Sequence, residues 1–455
     1  MASAIVESEV NKKMKQIVPA NRTVSGLCGE QKRKENLSYR PTTFLVREEC
    51  GEGTLLYHTL TGELLLLSAG EEEKQEKALI QKWFLVPDDF NDNRYSDEIY
   101  RIAGMMRKNS GAKTGFIILT TTDCNARCYY CYEKGIERMP MTEETALAVT
   151  DYIARVSCGE DVKLRWFGGE PLYNRKVIDL ICAALEQKGI RFESAMTSNG
   201  YYLNKETVKD AVTKWKLKKV QITVDGTEKI YNRTKAYIDK DDNPYERVMN
   251  NIREALDAGI CVNIRLNMDA GNAKDLLALS DDLAARFQGY ENLKVYVAIL
   301  HEFAGKINEH KSQEQKEKDY FAIREKLKDS GLLAQGKLSS SLRQFRCMAD
   351  NDASELIMPD GRTGRCEHYS EAVITGSIRN DERDESVIQR WKEPLRVPEC
   401  SHCAVYPKCW KLAMCDWFKH GCSDLDRRIE IIEIKEQMLK AYQEWKEGEA
   451  EHETV

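Results

Sequence analysis

The chain contains no apolar run of about 18 residues, the length a membrane-spanning helix needs. Its first residues, Met1-Ala2-Ser3-Ala4-Ile5-Val6-Glu7-Ser8-Glu9, lack the cationic-then-apolar order of a secretory signal. No membrane association is expected, and a cytoplasmic location is. A basic excess is also missing: 68 Lys and Arg against 74 Asp and Glu leave a net charge of −6. Bulk charge therefore gives no reason to expect a nucleic-acid partner. Histidine is scarce, and the seven present are spread without pattern, so none stands out as a general base. A single core is excluded by length, since 455 residues imply several domains. With 42% hydrophobic and 31% charged residues, an ordinary globular protein is expected.

Cysteine is abundant. Fifteen cysteines in a reducing compartment point to metal or cluster ligation rather than disulfides. Three lie at 124–131 and seven at 347–422. Cys28, Cys50, Cys158, Cys182 and Cys261 are isolated and read as small core residues.

Along the chain, residues 1–41 are polar without sustained apolar period and read as a short helix or an arm. Short strands are predicted at 43–46, 54–57 and 63–67, with helices near 70–85 and 96–108, making a small winged-helix-like module over 42–110. From 111 to 300 strand and helix alternate. Strands are predicted at 116–120, 163–167, 192–197, 220–224, 262–266 and 293–297, with a helix between each pair. Such alternation implies parallel strands with helical crossovers, here a partial (β/α)6 barrel of TIM type in an α/β fold. Residues 301–346 read as a helical bridge, 347–423 as a cysteine-rich domain ordered by metal, and 424–455 as a terminal helix and tail.

The stretch Cys124-Asn125-Ala126-Arg127-Cys128-Tyr129-Tyr130-Cys131 spaces its cysteines C-x3-C-x2-C directly after the first barrel strand. A closed zinc site wants four ligands. Three thiolates suit a [4Fe–4S] cluster with one iron left open. The pattern, with Tyr130 before the last cysteine, resembles the signature of radical S-adenosylmethionine (radical SAM) enzymes. That resemblance implies that SAM binds the open iron and yields a 5′-deoxyadenosyl radical on one-electron reduction. It further implies SAM contacts from Tyr130, from Gly168, Gly169 and Glu170 in Phe167-Gly168-Gly169-Glu170-Pro171, and from Ser198 and Asn199 in the turn after the third strand. Thr223 at the end of the fourth strand and Lys235 match the carboxylate side. Arg265, inside an apolar strand, is an alternative there, because a buried arginine needs an anionic partner or a polar cavity.

The later cysteines run Cys347-x13-Gly361-x4-Cys366, then Cys400-x2-Cys403-x5-Cys409-x5-Cys415-x6-Cys422. This resembles the SPASM domain, which carries two auxiliary [4Fe–4S] clusters, for three in all. Cys347, Cys366 and Cys415 match the proximal cluster, and Cys400, Cys403, Cys409 and Cys422 the distal one. The five-residue gap before Cys415 is longer than usual. Seven cysteines cannot supply eight ligands, so one iron is open, takes another ligand, or accepts a substrate thiolate. Two four-cysteine zinc sites fail on the same count.

The 123 residues before Cys124 resemble the RiPP recognition element of enzymes that modify ribosomally made peptides. The resemblance implies a maturase that binds a precursor peptide by its leader and forms a thioether or carbon–carbon cross-link. A small donor such as flavodoxin or ferredoxin would supply electrons. Formylglycine formation on a sulfatase is the alternative within the enzyme class, and a non-catalytic iron–sulfur carrier or peptide-binding scaffold the alternative outside it.

Overall fold

The computed structural model describes residues 14–71, 73–106, 111–239, 243–269, 271–300, 312–338, 345–368, 373–380, 382–415 and 421–453. It divides into two compact units: residues 1–109, 335–347 and 394–455 in one, residues 110–334 and 348–393 in the other. The cysteine-rich stretch expected as one domain over 347–423 is thus shared between them.

In the first unit the elements run β1 (Met14–Val18), α1 (Arg22–Cys28), β2 (Tyr39–Pro41), β3 (Leu45–Cys50), β4 (Gly53–His58), β5 (Glu63–Ser68), α2 (Glu76–Gln81), β6 (Leu85–Pro87) and α3 (Asp92–Met106). An antiparallel sheet is ordered β1-β5-β4-β3, and β2 pairs β6 separately. Three of these strands were expected. Of the short helix or arm expected over 1–41, α1 is a short helix, and the strands β1 and β2 in the same segment were not expected. Met14–Val18 escapes a pattern search because it is a short edge strand with no fully buried residue.

The sheet is covered on both faces, which explains a continuous Leu64-Leu65-Leu66-Leu67 run where one-sided burial would alternate. Leu56, Leu65 and Leu67 pack with Leu79 and Phe84. Leu55, Tyr57, Leu64 and Leu66 pack with Val405 and with Ile434, Met438 and Tyr442 of the C-terminal helix Asp424–Glu453. The 400–410 segment is fastened to this sheet and to α3. Phe44 stacks on Tyr406 with ring centroids 6.2 Å apart, Thr59 Oγ1 donates to Ala404 O at 2.6 Å, and Asn93 Nδ2 donates to Cys400 O at 2.8 Å.

The second unit contains β7 (Gly115–Thr121), α4 (Glu143–Val156), β8 (Val162–Gly168), α5 (Arg175–Gln187), β9 (Phe192–Ser198), α6 (Lys205–Thr213), β10 (Leu217–Thr223), α7 (Glu228–Lys235), α8 (Pro244–Asp257), β11 (Cys261–Met268), α9 (Ala273–Phe287), β12 (Leu293–Ile299), α10 (Gln313–Asp329), β13 (Ser354–Ile357), β14 (Arg362–Gly364), β15 (Ile374–Ser377) and α11 (Glu385–Arg390). The six strands β7 to β12 are parallel and adjacent in chain order. β13 adds parallel to β7, and β14 and β15 follow antiparallel. This is a mixed α/β unit on a parallel sheet.

Most of the parallel strands bury alternate residues beneath the helices, whereas β7 is buried along nearly its whole length. On β8, Val162, Leu164 and Trp166 are buried while Lys163 and Arg165 are exposed on the other face. That other face carries Thr197, Gln221, Thr223, Asn263, Arg265 and Tyr296, a polar set that is half-buried. Among the isolated cysteines, Cys182 is buried as expected, but Cys158 is exposed in the turn after α4. Among the described residues no helix is long and apolar enough to cross a membrane.

Candidate active site

The loops at the C-terminal ends of β7, β8, β9 and β10 converge in the second unit, at the end of a parallel sheet where ligands bind. The triple-cysteine loop follows β7. Thr122 Oγ1 holds its two limbs together, donating to Glu137 O and accepting from Met139 N, both at 2.7 Å. Asp123 Oδ1 accepts from Cys124 N at 2.8 Å. The loop is then joined to the segment after α7: Arg127 N donates to Lys235 O at 2.7 Å and Ile238 N to Asn125 O at 2.8 Å. Asn125 Nδ2 donates to Asp239 Oδ2 at 3.2 Å.

The cysteine side chains sit in a mostly buried setting with little positive charge. Burial pushes the Cys124 thiol up to about 12, with the Glu170 charge adding to it, and Cys131 up to about 11. Cys128 is raised by burial, offset in part by Lys235. Such thiols ionise at neutral pH only against a bound cation, as cluster irons would provide. Donors already point at one sulfur: Ala126 N lies 3.3 Å and Asn199 Nδ2 3.7 Å from Cys124 Sγ. The donor set therefore fits an iron–sulfur cluster. Among the described residues no three His, Cys, Asp or Glu side chains converge on a single ion. A cluster does not need that convergence, because each thiolate takes its own iron.

The two glycines after β8 serve backbone packing. A Cβ on Gly168, whose φ is +117°, would lie 2.1 Å from Thr121 O, and one on Gly169 would lie 2.3 Å from Asp123 O. Only glycine lets this turn press against the cysteine loop. Glu170 is completely buried. Its Oε1 accepts from Leu172 N at 3.0 Å and Ser198 Oγ at 2.9 Å, and its Oε2 from Asn199 N at 2.7 Å. Burial raises its carboxyl to about 7, against the pull of those donors. Glu170 thereby fixes the turn that aims Asn199 at Cys124 and at Asn125 Oδ1, 2.7 Å from Asn199 Nδ2.

On the other side, Tyr130 OH donates to Asp225 Oδ2 at 2.8 Å, and Lys235 Nζ lies 2.9 Å from the same oxygen and 3.2 Å from the Tyr130 hydroxyl. Asp225 and Lys235 are 1% and 2% exposed. Burial alone would lower the Lys235 ammonium, but Asp225 and Tyr130 hold it well above its ordinary value. Asp225 Oδ1 is buried with no hydrogen-bond partner among the described residues, an acceptor left for a ligand. Tyr129 OH donates to Asp269 Oδ2.

The structure thus joins Cys124, Cys128, Cys131, Tyr130, Gly168, Gly169, Glu170, Ser198, Asn199 and Lys235 through direct contacts or shared electrostatics. Thr223 and Arg265 are register partners on β10 and β11, and Arg265 Nε donates to Asn267 Oδ1 at 2.9 Å. Arg265 also acts on Tyr296 and His368. Sequence reasoning missed Asp225 and Asp239. Asp225 was visible two residues past Thr223, but only a buried cation opposite gives it a role. His368, whose ring centroid lies 4.2 Å from that of Tyr132, was also missed.

In the first unit, Cys400, Cys403, Cys409 and Cys422 are close enough to perturb one another. Cys403 and Cys409 are raised by burial first and by the other thiols second. Lys411 Nζ lies 3.0 Å from Cys422 Sγ. Cys347 and Cys415 also belong to the first unit, whereas Cys366 belongs to the second.

Residues 118–282 match the profile of a family described as the Radical SAM superfamily, whose members use a [4Fe–4S] cluster and S-adenosylmethionine. Over these residues the second unit is therefore similar to a radical SAM domain. Curated relatives include GTP 3′,8-cyclases. That of Alkaliphilus metalliredigens (strain QYMF) is 33% identical over 158 residues, covering 34% of this chain and 46% of the relative. That of Cronobacter sakazakii (strain ATCC BAA-894) is 33% identical over 153 residues, covering 32% and 43%. The chain spans less than half the length of these relatives. Among solved structures, native anSMEcpe with bound AdoMet aligns with a TM-score of 0.54 at 15% identity, over 73% of this chain and 99% of that one. Streptococcus suis SuiB bound to S-adenosylmethionine aligns with a TM-score of 0.50 at 13% identity, over 86% and 95%. At these identities the likeness is one of fold.

Proposed function

We propose that the chain is a radical SAM/SPASM maturase of a ribosomally made precursor peptide. The observation that carries this reading is the C-x3-C-x2-C loop at the end of β7, braced by Glu170 and Asn199 on one side and by the Asp225–Lys235 pair on the other. A [4Fe–4S] cluster with bound SAM supplies reductive cleavage to a hydrogen-abstracting 5′-deoxyadenosyl group. The chain's own residues do the rest. Cys124, Cys128 and Cys131 would hold the cluster, and Asn199 and Ala126 donate toward Cys124. Tyr130, Asp225 and Lys235 offer a buried acceptor and cation to the amino and carboxylate groups of SAM. Thr223 and Arg265 line the polar face beyond.

The peptide substrate is supported by fold likeness to anSMEcpe, which is also solved with a Cp18Cys peptide at a TM-score of 0.50. It is supported too by the N-terminal sheet, whose edge strands β1 and β3 suit addition of a leader strand. Cys400, Cys403, Cys409 and Cys422 would hold one auxiliary cluster, and Cys347, Cys366 and Cys415 another. In a thioether cross-link a C–H and an S–H bond are lost and a C–S bond forms. The balance would require one hydrogen atom to be accepted by the SAM-derived group, one proton to go to solvent, and one electron to be taken up by the cluster that Cys347, Cys366 and Cys415 would hold.

Mass spectrometry tests this. Short cysteine-containing peptides encoded beside the gene are co-expressed with the chain under anaerobic conditions. Loss of two hydrogens per cross-link is expected. Conversion of a sulfatase-derived cysteine to formylglycine, with those peptides unchanged, would support the sulfatase alternative. No change in any peptide would overturn the reading.

A further inference from the structure

The polar face of the parallel sheet has a second feature, at the end away from the cysteine loop. A cavity of about 480 Å³ opens there, lined by the first halves of β7 to β10 and by Met348 and Ser354. Its volume suits a small ligand or a few side chains. Lys163, Arg165, Lys218 and Lys219 line it, against a single acid, Glu193. A surplus of cations in one concavity of a chain whose net charge is −6 is a local inversion of sign. Low-dielectric walls focus such a field on an entering anion.

Register shows how the cations are arranged. Arg165 on β8 and Lys219 on β10 are both partners of Ala195 on the strand between them. Neighbouring strands are about 4.8 Å apart, so the two long side chains rise roughly 10 Å apart over a residue with only a methyl group. The gap above Ala195 has the width of a carboxylate. Lys163 Nζ is 3.3 Å from Glu193 Oε1, but both side chains are more than half exposed. A pair so hydrated holds little energy and exchanges partners readily.

We propose that the Arg165–Ala195–Lys219 row, with Lys163 beside it, binds a carboxylate side chain of the peptide substrate. The inference deepens the peptide reading above and rests on it. A nucleoside triphosphate fits less well. Phe116, Ile117, Leu164 and Met348 make much of the lining apolar, Glu193 opposes a polyphosphate, and the lining residues lie on strands rather than in the glycine-rich or helix-start nests that cradle phosphates. From Arg165 to the end of β8 is three residues, roughly 10 Å along the strand. An extended substrate with an acid in the row would therefore place a residue about three or four positions away beneath the cysteine loop.

The test uses the reconstituted full-length protein and a rhodamine-labelled hexaglutamate, with hexaglutamine as the neutral counterpart, read by fluorescence anisotropy. Hexaglutamate is expected to bind and hexaglutamine not. The double variant R165E/K219E should weaken hexaglutamate by roughly tenfold or more. K205E/K209E, which makes the same charge change on the exposed helix α6, should leave it unaltered. If R165E/K219E fails to fold, R165Q/K219Q is read in the same way, with a smaller loss expected. Equal weakening by both charge-reversal pairs, or displacement of the probe by ATP at lower concentration than by unlabelled hexaglutamate, would overturn the proposal. The outcomes separate from the peptide reading. A chain that binds hexaglutamate through Arg165 but modifies no peptide contradicts the maturase function. A chain that modifies peptides regardless of charge at 165 and 219 contradicts the carboxylate site.

Discussion

Lys235 shows what a single residue contributes here and why sequence alone undersells it. In the sequence, Lys235 stands only as a match to the carboxylate side of a SAM site, within Tyr231-Asn232-Arg233-Thr234-Lys235. Only folding shows that Asp225 and Tyr130 are its partners. Removing one member of a buried ion pair leaves an uncompensated charge, which costs about 3–5 kcal/mol, whereas removing both is far cheaper. Asp225→Asn should therefore lower the urea midpoint strongly, and Asp225→Asn with Lys235→Met should recover most of the loss. Additive losses in the double variant would mean the pair is not coupled. Gly168 and Gly169 make the converse point. The sequence marked them as special, but for close approach of a ligand; the structure shows close approach of the Thr121–Asp123 backbone.

At the scale of elements, β8 and β9 were legible because they bury alternate residues, as Val162, Leu164 and Trp166 do, and β7 because its buried residues form one short apolar run. Each is also followed by a helix with a clear stop. The N-terminal sheet was less so. Its leucine run follows no period because both faces are covered, and β1 is too short to show one. His58, at the end of β4, gives this sheet a pH dependence. The ring is 2% exposed; Nε2 lies 3.1 Å from Trp83 O, and Nδ1 accepts from Thr61 N at 3.3 Å. Only a neutral ring satisfies both contacts. Burial accordingly lowers its pKa to about 4, against 6.5 in the unfolded chain. Between those values the unfolded state binds the extra proton. Stability should be intact above pH 6.5 and fall by up to about 3 kcal/mol as the pH drops toward 4. Denaturant unfolding of the wild type and of His58→Gln across this range checks it. An identical pH slope in both proteins would assign the effect elsewhere.

At the scale of the molecule, the order of motifs was legible and their grouping was not. The N-terminal module reads as detachable. Yet Leu55, Tyr57, Leu64 and Leu66 share one core with Val405, Ile434, Met438 and Tyr442, hundreds of residues later. No local pattern announces such a contact. Deleting residues 1–108 should thus do more than weaken leader binding. It strips the packing from the segment bearing Cys400, Cys403 and Cys409, so reconstituted protein should lose about four irons. Cleavage of SAM should persist, because the second unit has its own core. Full iron content in the truncated protein would show that the cysteine segment orders itself without the sheet.

The central claim is that Cys124, Cys128 and Cys131 hold a cluster that cleaves SAM. The direct measurement is 5′-deoxyadenosine, by liquid chromatography, after anaerobic reconstitution and reduction with dithionite in the presence of SAM. The account predicts its formation by the wild type and none by the variant with alanine at all three positions, which should also hold about four fewer irons. Iron-replete wild type that forms no 5′-deoxyadenosine, or a triple variant that forms as much, would contradict it.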